Sequence, residues 1–195
     1  MMKKIIDKAK EYIKELLGNE STGHDYYHAL RVYNMALYLA IGKDVDLDVI
    51  SLAAILHDAD DKKIAPKGSH RALNFLNEYV NDDIKDQVMN IITNMSYSSQ
   101  IKGSTLESLE GKIVQDADRL DALGAIGIAR CFAYTGKTER KIYDYSIDDD
   151  SAIAHFYQKL FNLDALMNTS EARNIAEQRI EFMKEYLKEF FKEWR

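Results

Sequence analysis

A run of nearly unbroken apolar residues, Ser51-Leu-Ala-Ala-Ile-Leu, ends in the pair His57-Asp58 and then opens into charged chain. A helix that is apolar all round is buried on every side, so two ionisable side chains stand where a buried helix stops. An unpaired charge there would cost several kcal/mol or more, so the pair needs a partner. A metal ion is one such partner and a salt bridge is the other.

Two further positions carry the same chemistry. His28 shares a helical side with His24, Val32, Met35 and Leu39 by the three-and-four spacing of a helix face. It therefore faces inward, either as a satisfied core histidine or as a ligand. Asp116 and Asp118 are about 200° apart around a helix of ~3.6 residues per turn. Asp116 falls beside Lys112 and Arg119, a face that reads as solvated ion pairs. Asp118 falls with Val114, Asp121 and Ala125 on the more buried stripe, which makes it the better ligand candidate, with Asp121 placed to orient it or to meet a substrate.

The set His28, His57, Asp58 and Asp118 offers two imidazoles and two carboxylates. Such mixed N/O donors suit one divalent ion among Mn, Mg, Fe, Co, Ni and Zn, and the lack of thiolates singles out none of them. Four protein donors on an octahedral ion leave positions for water and a substrate oxygen, the open arrangement that catalysis needs.

The elements that must position these residues are helical throughout. The single proline, Pro66, and glycines that mostly fall between periodic segments leave room for long helices. The spacing predicts helices over Met2–Leu17, His24–Ile41, Leu47–Asp58, His70–Val80 with Ser69 as its cap, and Ile84–Met95 opened by Asp82 or Asp83. Ser104 with Glu107 forms a capping-box pattern for a helical region running to Thr135, bent near Gly124 or Gly127. Those glycines follow no strand and read as close helix packing rather than a phosphate loop. A polar loop, Lys137–Asp150, precedes helices over Ser151–Met167 and Ser170–Trp194. Lys137, Arg140 and Lys141 make that loop a solvated segment or a basic lid, and His155 reads as structural. The expected fold is all-α, one domain over residues 1–195.

Composition narrows the function. With 26 basic against 32 acidic residues the net charge is −6, which disfavours nucleic acid and anionic membranes as partners. A small anionic substrate is compatible with it where a metal or a local basic cluster offsets the field. No apolar run reaches the ~18 residues of a membrane span. Asp7, Lys8, Lys10 and Glu11 interrupt any secretion signal at the basic start, while Ile6, Ala9, Ile13, Leu16 and Leu17 follow the spacing of an amphipathic helix. The lone Cys131 excludes an internal disulfide and suits a reducing, cytoplasmic setting. The last helix carries a wide apolar face, Ile180, Met183, Leu187, Phe190, Phe191 and Trp194, which must dock on the core or pair with a second copy as a homodimer.

The ordered segments His28-Ala-Leu-Arg-Val32, His57-Asp58 and Ala117-Asp118-Arg119-Leu120 resemble the H…HD…D pattern of the HD-domain metal-dependent phosphohydrolases. The flanking stretches from Gly23 to Val32, from Leu56 to Lys63 and from Val114 to Arg130 are similar to its small single-domain bacterial branch, some members of which act on nucleoside triphosphates. The resemblance covers residues 19–130. It implies a helical bundle, a metal held by His28, His57, Asp58 and Asp118, and hydrolysis of a phosphate ester or anhydride of a small phosphorylated substrate, a nucleotide above all, by metal-activated water. Members with two metals carry further histidines between the His-Asp pair and the last Asp. Here that interval holds only His70, so one ion is expected. Asp61, one helical turn after His57, is the candidate to hold or deprotonate the water, or is a plain helix-end carboxylate. His24, Lys63 and His70 are candidates for phosphate oxygens. Hydrolysis of ppGpp, for which Asp60 and Asp61 could mimic an acidic pair, and a non-catalytic nucleotide-binding module are the competing functions.

Overall fold

The computed structural model describes residues 2–18, 20, 23–61, 65–97, 99, 103–146 and 150–194. Among these every regular element is helical: α1 (Met2–Leu17), α2 (Tyr26–Leu39), α3 (Leu47–Leu56), α4 (Arg71–Tyr79), α5 (Asp82–Asn94), α6 (Leu109–Asp121), α7 (Gly124–Lys137), α8 (Ala152–Gln158), two 3-10 turns (Leu160–Asn162 and Asp164–Leu166) and α9 (Ser170–Glu193). None is long and apolar enough to cross a membrane. The chain divides into two compact units, residues 1–20 with 24–118, and residues 21–23 with 119–195.

The first unit is built round α3. Val49 through Leu56 are all buried, Ser51 included, because this helix packs against α1, α2 and α5. Its start is fixed by Asp46, whose carboxylate accepts from the N–H groups of Asp48 and Val49, and such caps typically contribute about 1 kcal/mol. On α2 the buried stripe is His28, Ala29, Val32, Ala36 and Leu39, with the helical period that the sequence shows.

Several boundaries differ from the periodicity. Helix α2 begins at Tyr26 rather than His24, because Asp25 caps it by accepting from the N–H of His28 at 2.7 Å. Ser69 does not cap α4 in the ordinary way. The carboxylate of Asp60, eleven residues upstream of Arg71, accepts from the N–H groups of Arg71 at 2.8 Å and Ala72 at 3.0 Å, satisfying donors that a helix start leaves open. Asn81 caps α5, which takes in Asp82 and Asp83 as its first turn. Ser108, not Ser104, accepts from Gly111 at the start of α6.

In the second unit the long helical region breaks outright at Gly124, which has φ +73° and a Cβ position only 3.1 Å from the side chain of Arg179. A side chain there would meet both a strained backbone and that contact. Gly127 sits against the carbonyl of Ala122, so both glycines serve close packing. The segment 151–167 holds a short helix and two 3-10 turns instead of one helix. Lys159, at φ −135°, turns the chain so that Leu160 and Leu163 are buried. On α9, Ala172, Ala176, Ile180, Met183 and Leu187 are buried, while Phe191 and Trp194 pack edge-on to Tyr143 at 5.3 and 5.4 Å. The apolar face of the last helix is thus taken up inside its own unit at Ile180, Met183 and Leu187, while Phe191 and Trp194 remain partly exposed. In the loop before α8, Lys141 pairs with Asp144 and Arg140 with Asp150.

Candidate metal centre

All four residues of the H…HD…D set lie in the first unit, and their ligand atoms converge. Nε2 of His28 lies 3.1 Å from Nε2 of His57, 3.4 Å from Oδ2 of Asp58 and 3.4 Å from Oδ1 of Asp118. Nε2 of His57 lies 3.5 Å from the same Asp58 oxygen and 3.8 Å from the same Asp118 oxygen. Donors about 2.0–2.2 Å from a shared divalent ion stand roughly 2.8–3.6 Å from their neighbours in octahedral or tetrahedral geometry. Four of the five separations fall within that range and the fifth is slightly longer, and the ligand atoms of His28, His57 and Asp118 form one close group that could hold an ion.

Each ligand is aimed by its element. His28 points inward from the first turn of α2 and is 1% exposed. His57 is the C-cap of α3, and its Nδ1 donates to the carbonyl of Ala54 at 2.8 Å. A carbonyl can only accept, so a proton is on Nδ1, and in the neutral, metal-binding form of the ring the lone pair of Nε2 faces the cluster, the arrangement metal-binding imidazoles usually show. Asp58 follows in the turn that ends α3, its side chain 10% exposed. Asp118 arrives on α6.

The burial of α6 reverses the sequence expectation. Asp116 is fully buried, not part of a solvated face, because α6 is apolar along two stripes, with Ile113 and Leu120 on one and Val114 and Ala117 on the other, all buried. Asp118 is the more accessible carboxylate, its side chain 34% exposed.

Burial pushes the Asp58 carboxyl up, but the charge of His57 and the hydrogen bonds from His24 and His28 outweigh it and hold the group well below the usual carboxylate range. Burial likewise raises Asp118, and the bond from His28 with the charges of His57 and His28 overcomes it, while Asp58 opposes them, to leave the group at about 2. Both carboxylates are therefore ionised and ready as ligands at neutral pH.

The other predicted residues are spread more widely. His24 precedes α2 instead of lying on it, yet its Nδ1 is 3.0 Å from Oδ2 of Asp58, and His24, His28 and Asp58 form a second close group of potential ligand atoms. Asp61 is half-buried at the end of the turn after the pair, where its carbonyl accepts from the N–H of Ala65. His70 is exposed at the start of α4 and its ring makes no capping bond. Lys63 lies outside the described residues. Asp121 belongs to the second unit, buried, with Nη1 of Arg130 on its carboxylate at 2.9 Å.

Two contributions escape a reading by helical period. Asp60 serves as the distant cap of α4, and no local spacing signals it. Arg130 holds Asp121, and its signal is a lone cation ending the run Ala125-Ile-Gly-Ile-Ala.

A helical chain that gathers two imidazoles and two carboxylates around one position has the makings of a divalent-metal protein. Residues 25–123 match the sequence model of the HD domain, and the chain belongs to the HD-domain family. It is 36% identical over 192 residues to the uncharacterized protein YpgQ of Bacillus subtilis, covering 96% of this chain and 92% of that protein. The crystal structure of YpgQ in complex with ADP matches with a TM-score of 0.82 at 37% identity, over 98% of this chain and 96% of that one. The crystal structure of an HD-superfamily hydrolase from Bacillus thuringiensis matches with a TM-score of 0.79 at 40% identity, over 100% of this chain and 98% of that one.

Proposed function

We propose that this protein is a metal-dependent phosphohydrolase acting on a nucleotide, as a nucleoside triphosphate pyrophosphohydrolase or a nucleotide phosphatase. The observation that carries the reading is the convergence of His28, His57, Asp58 and Asp118 at separations that suit one divalent ion. The similarity to YpgQ, one of whose crystal structures is a complex with ADP, supports the nucleotide.

A divalent ion held by these four residues supplies Lewis acidity, which withdraws charge from a phosphoryl oxygen and eases deprotonation of a water. The chain's own part is to keep that position ready. His57 is locked in its tautomer by Ala54, and Asp58 and Asp118 stay ionised. Exposure of Asp118 leaves an approach for substrate. Asp61, following the pair in the chain, is the candidate to hold the attacking water and take its proton, with Lys63 and His70 as candidates for phosphate oxygens. Asp60 is already occupied by the N–H groups of Arg71 and Ala72, which favours a nucleotide over ppGpp, where Asp60 with Asp61 would form the acidic pair.

The test is phosphate and pyrophosphate release from nucleoside mono-, di- and triphosphates and ppGpp, with Mn, Mg, Co or no metal, for wild type, Asp58→Ala and Asp118→Ala. Metal-dependent release that both variants lose is the expected result, and the product names the bond cleaved. A wild type that binds metal and nucleotide but releases nothing would leave a non-catalytic binding module in place of the enzyme.

A further inference from the structure

We infer that His24 is a positioning residue of the metal centre, acting through Asp58 rather than on a phosphate. The inference rests on the metal reading above and adds to it a residue and a role. Its basis is one oxygen. Oδ2 of Asp58, the atom that faces Nε2 of His28 at 3.4 Å and Nε2 of His57 at 3.5 Å, is also the atom that His24 Nδ1 meets at 3.0 Å. A carboxylate can only accept, so the proton lies on His24 Nδ1 and is donated to the oxygen that points at the other ligands.

That bond, the shortest of the contacts to Oδ2, restrains the torsion that aims the carboxylate. The carboxylate of an aspartate rotates over a broad range about its last side-chain bond, and rotation would carry Oδ2 away from both imidazoles. His24 stops the rotation from outside α3. Its own placement is in turn secured by the helix start beside it: Asp25 closes on the N–H of His28 at 2.7 Å, and the His24 ring stands edge-on to the His28 ring, centroids 5.8 Å apart at 83°. The His24 side chain is 19% exposed, far less than that of a solvated surface group. An N–H committed to Asp58 is not available to a phosphate oxygen, so a phosphate-binding role for the same nitrogen is set aside.

The experiment is calorimetric titration of Mn²⁺ into the metal-free full-length chain, which needs no turnover. His24→Ala is expected to weaken Mn²⁺ binding about 10–100-fold, the usual effect of removing the group that orients a metal ligand. His24→Asn carries an amide N–H close to the position of imidazole Nδ1 and is expected to retain affinity within about threefold. His24→Gln places its amide one methylene further out and should behave like alanine. Wild-type affinity in the alanine variant would overturn the role. Equal losses in asparagine and alanine would overturn the hydrogen bond as its means, since an amide nitrogen can donate to Asp58 but cannot replace an imidazole as a ligand. Unchanged Mn²⁺ affinity combined with a raised KM for nucleotide at saturating metal would return His24 to the phosphate. A wild type that takes up no Mn²⁺ would instead remove the metal reading beneath both.

Discussion

Nε2 of His28 and Nε2 of His57 stand 3.1 Å apart, although the Nδ1 proton of His57 is spent on the carbonyl of Ala54. A neutral His57 can therefore offer only a lone pair to its neighbour, and the pair is satisfied either by a proton from His28 or by a cation that both rings face. This relationship predicts the behaviour of His57→Asn. The asparagine amide takes over the bond to Ala54 while the metal-facing nitrogen is lost. Mn²⁺ affinity should fall by about 100-fold or more, and the metal-free variant should unfold within about 2 °C of the wild type, since its loss on the folding side is small. Titration calorimetry and thermal unfolding of the same samples check both halves.

Ligand binding to the folded chain alone adds stability in proportion to the logarithm of one plus the ratio of ligand concentration to dissociation constant. Mn²⁺ at 100 times its dissociation constant should contribute about 2.7 kcal/mol, which for a chain of this size raises the unfolding midpoint by roughly 5–10 °C. Excess EDTA should reverse the rise. Asp118→Ala should show no shift on addition of Mn²⁺ at the same concentration.

How much of this was legible in the sequence depends on the range of each interaction. The span of α1, the all-round burial of α3 and the inward face of His28 follow from residues within a turn or two of one another, and periodicity shows them. The cap of α4 comes from Asp60 across a loop, and the break of α6 from α7 comes from Gly124 meeting Arg179. Spacing along one helix contains neither. Lys112 and Arg119 suggest solvent around Asp116, yet it is buried, because long cationic side chains reach carbonyls while their stems stay inside, as Arg119 does toward Leu166. The ordered histidines and aspartates pointed to a common site, but the link from His24 to Asp58 depends on where the two chain segments meet.

Asp60 gives the clearest pH dependence. Burial pushes its carboxyl up, but hydrogen bonds from Ser69 and from the N–H groups of Ala72 and Arg71 hold it below the ordinary value. A group whose folded pKa is depressed contributes stability that is present above its unfolded value, about 3.9. That contribution is lost as the pH falls through the lower folded value. Asp60→Asn removes the charge and weakens the cap, so it should cost about 1 kcal/mol at pH 7 and lose less stability than the wild type between pH 5 and pH 3. Urea unfolding across that interval gives the comparison.

Cys131 should be inert. Burial pushes its thiol up to about 11, against smaller lowering effects from Thr135 and Arg140, and the thiolate is the reactive form. At pH 8 its alkylation by iodoacetamide should run at least about 100-fold slower than that of a free thiol with a pKa near 8.5. In denaturant the rate should become ordinary, and mass spectrometry of timed samples reads both.

Asp121 and Arg130 form a tightly enclosed ion pair within the second unit, 2.9 Å apart with side chains 7% and 15% exposed. Asp121 also acts on Arg179, and removing Asp121 leaves the Arg130 charge buried without this carboxylate, which is costlier than removing both. Asp121→Leu should destabilise the chain by about 3 kcal/mol and Arg130→Met by less, since Asp121 keeps Arg179 near it, and the double variant should cost less than the sum of the two because the sites share the interaction. Urea unfolding of the four proteins measures the coupling. Asp121→Asn keeps an acceptor for Arg130, so it should be milder and should leave KM for nucleotide unchanged within about twofold. A larger rise in KM at intact stability would show that Asp121 meets the substrate, and the pair with Arg130 would then be the device that holds it for that contact.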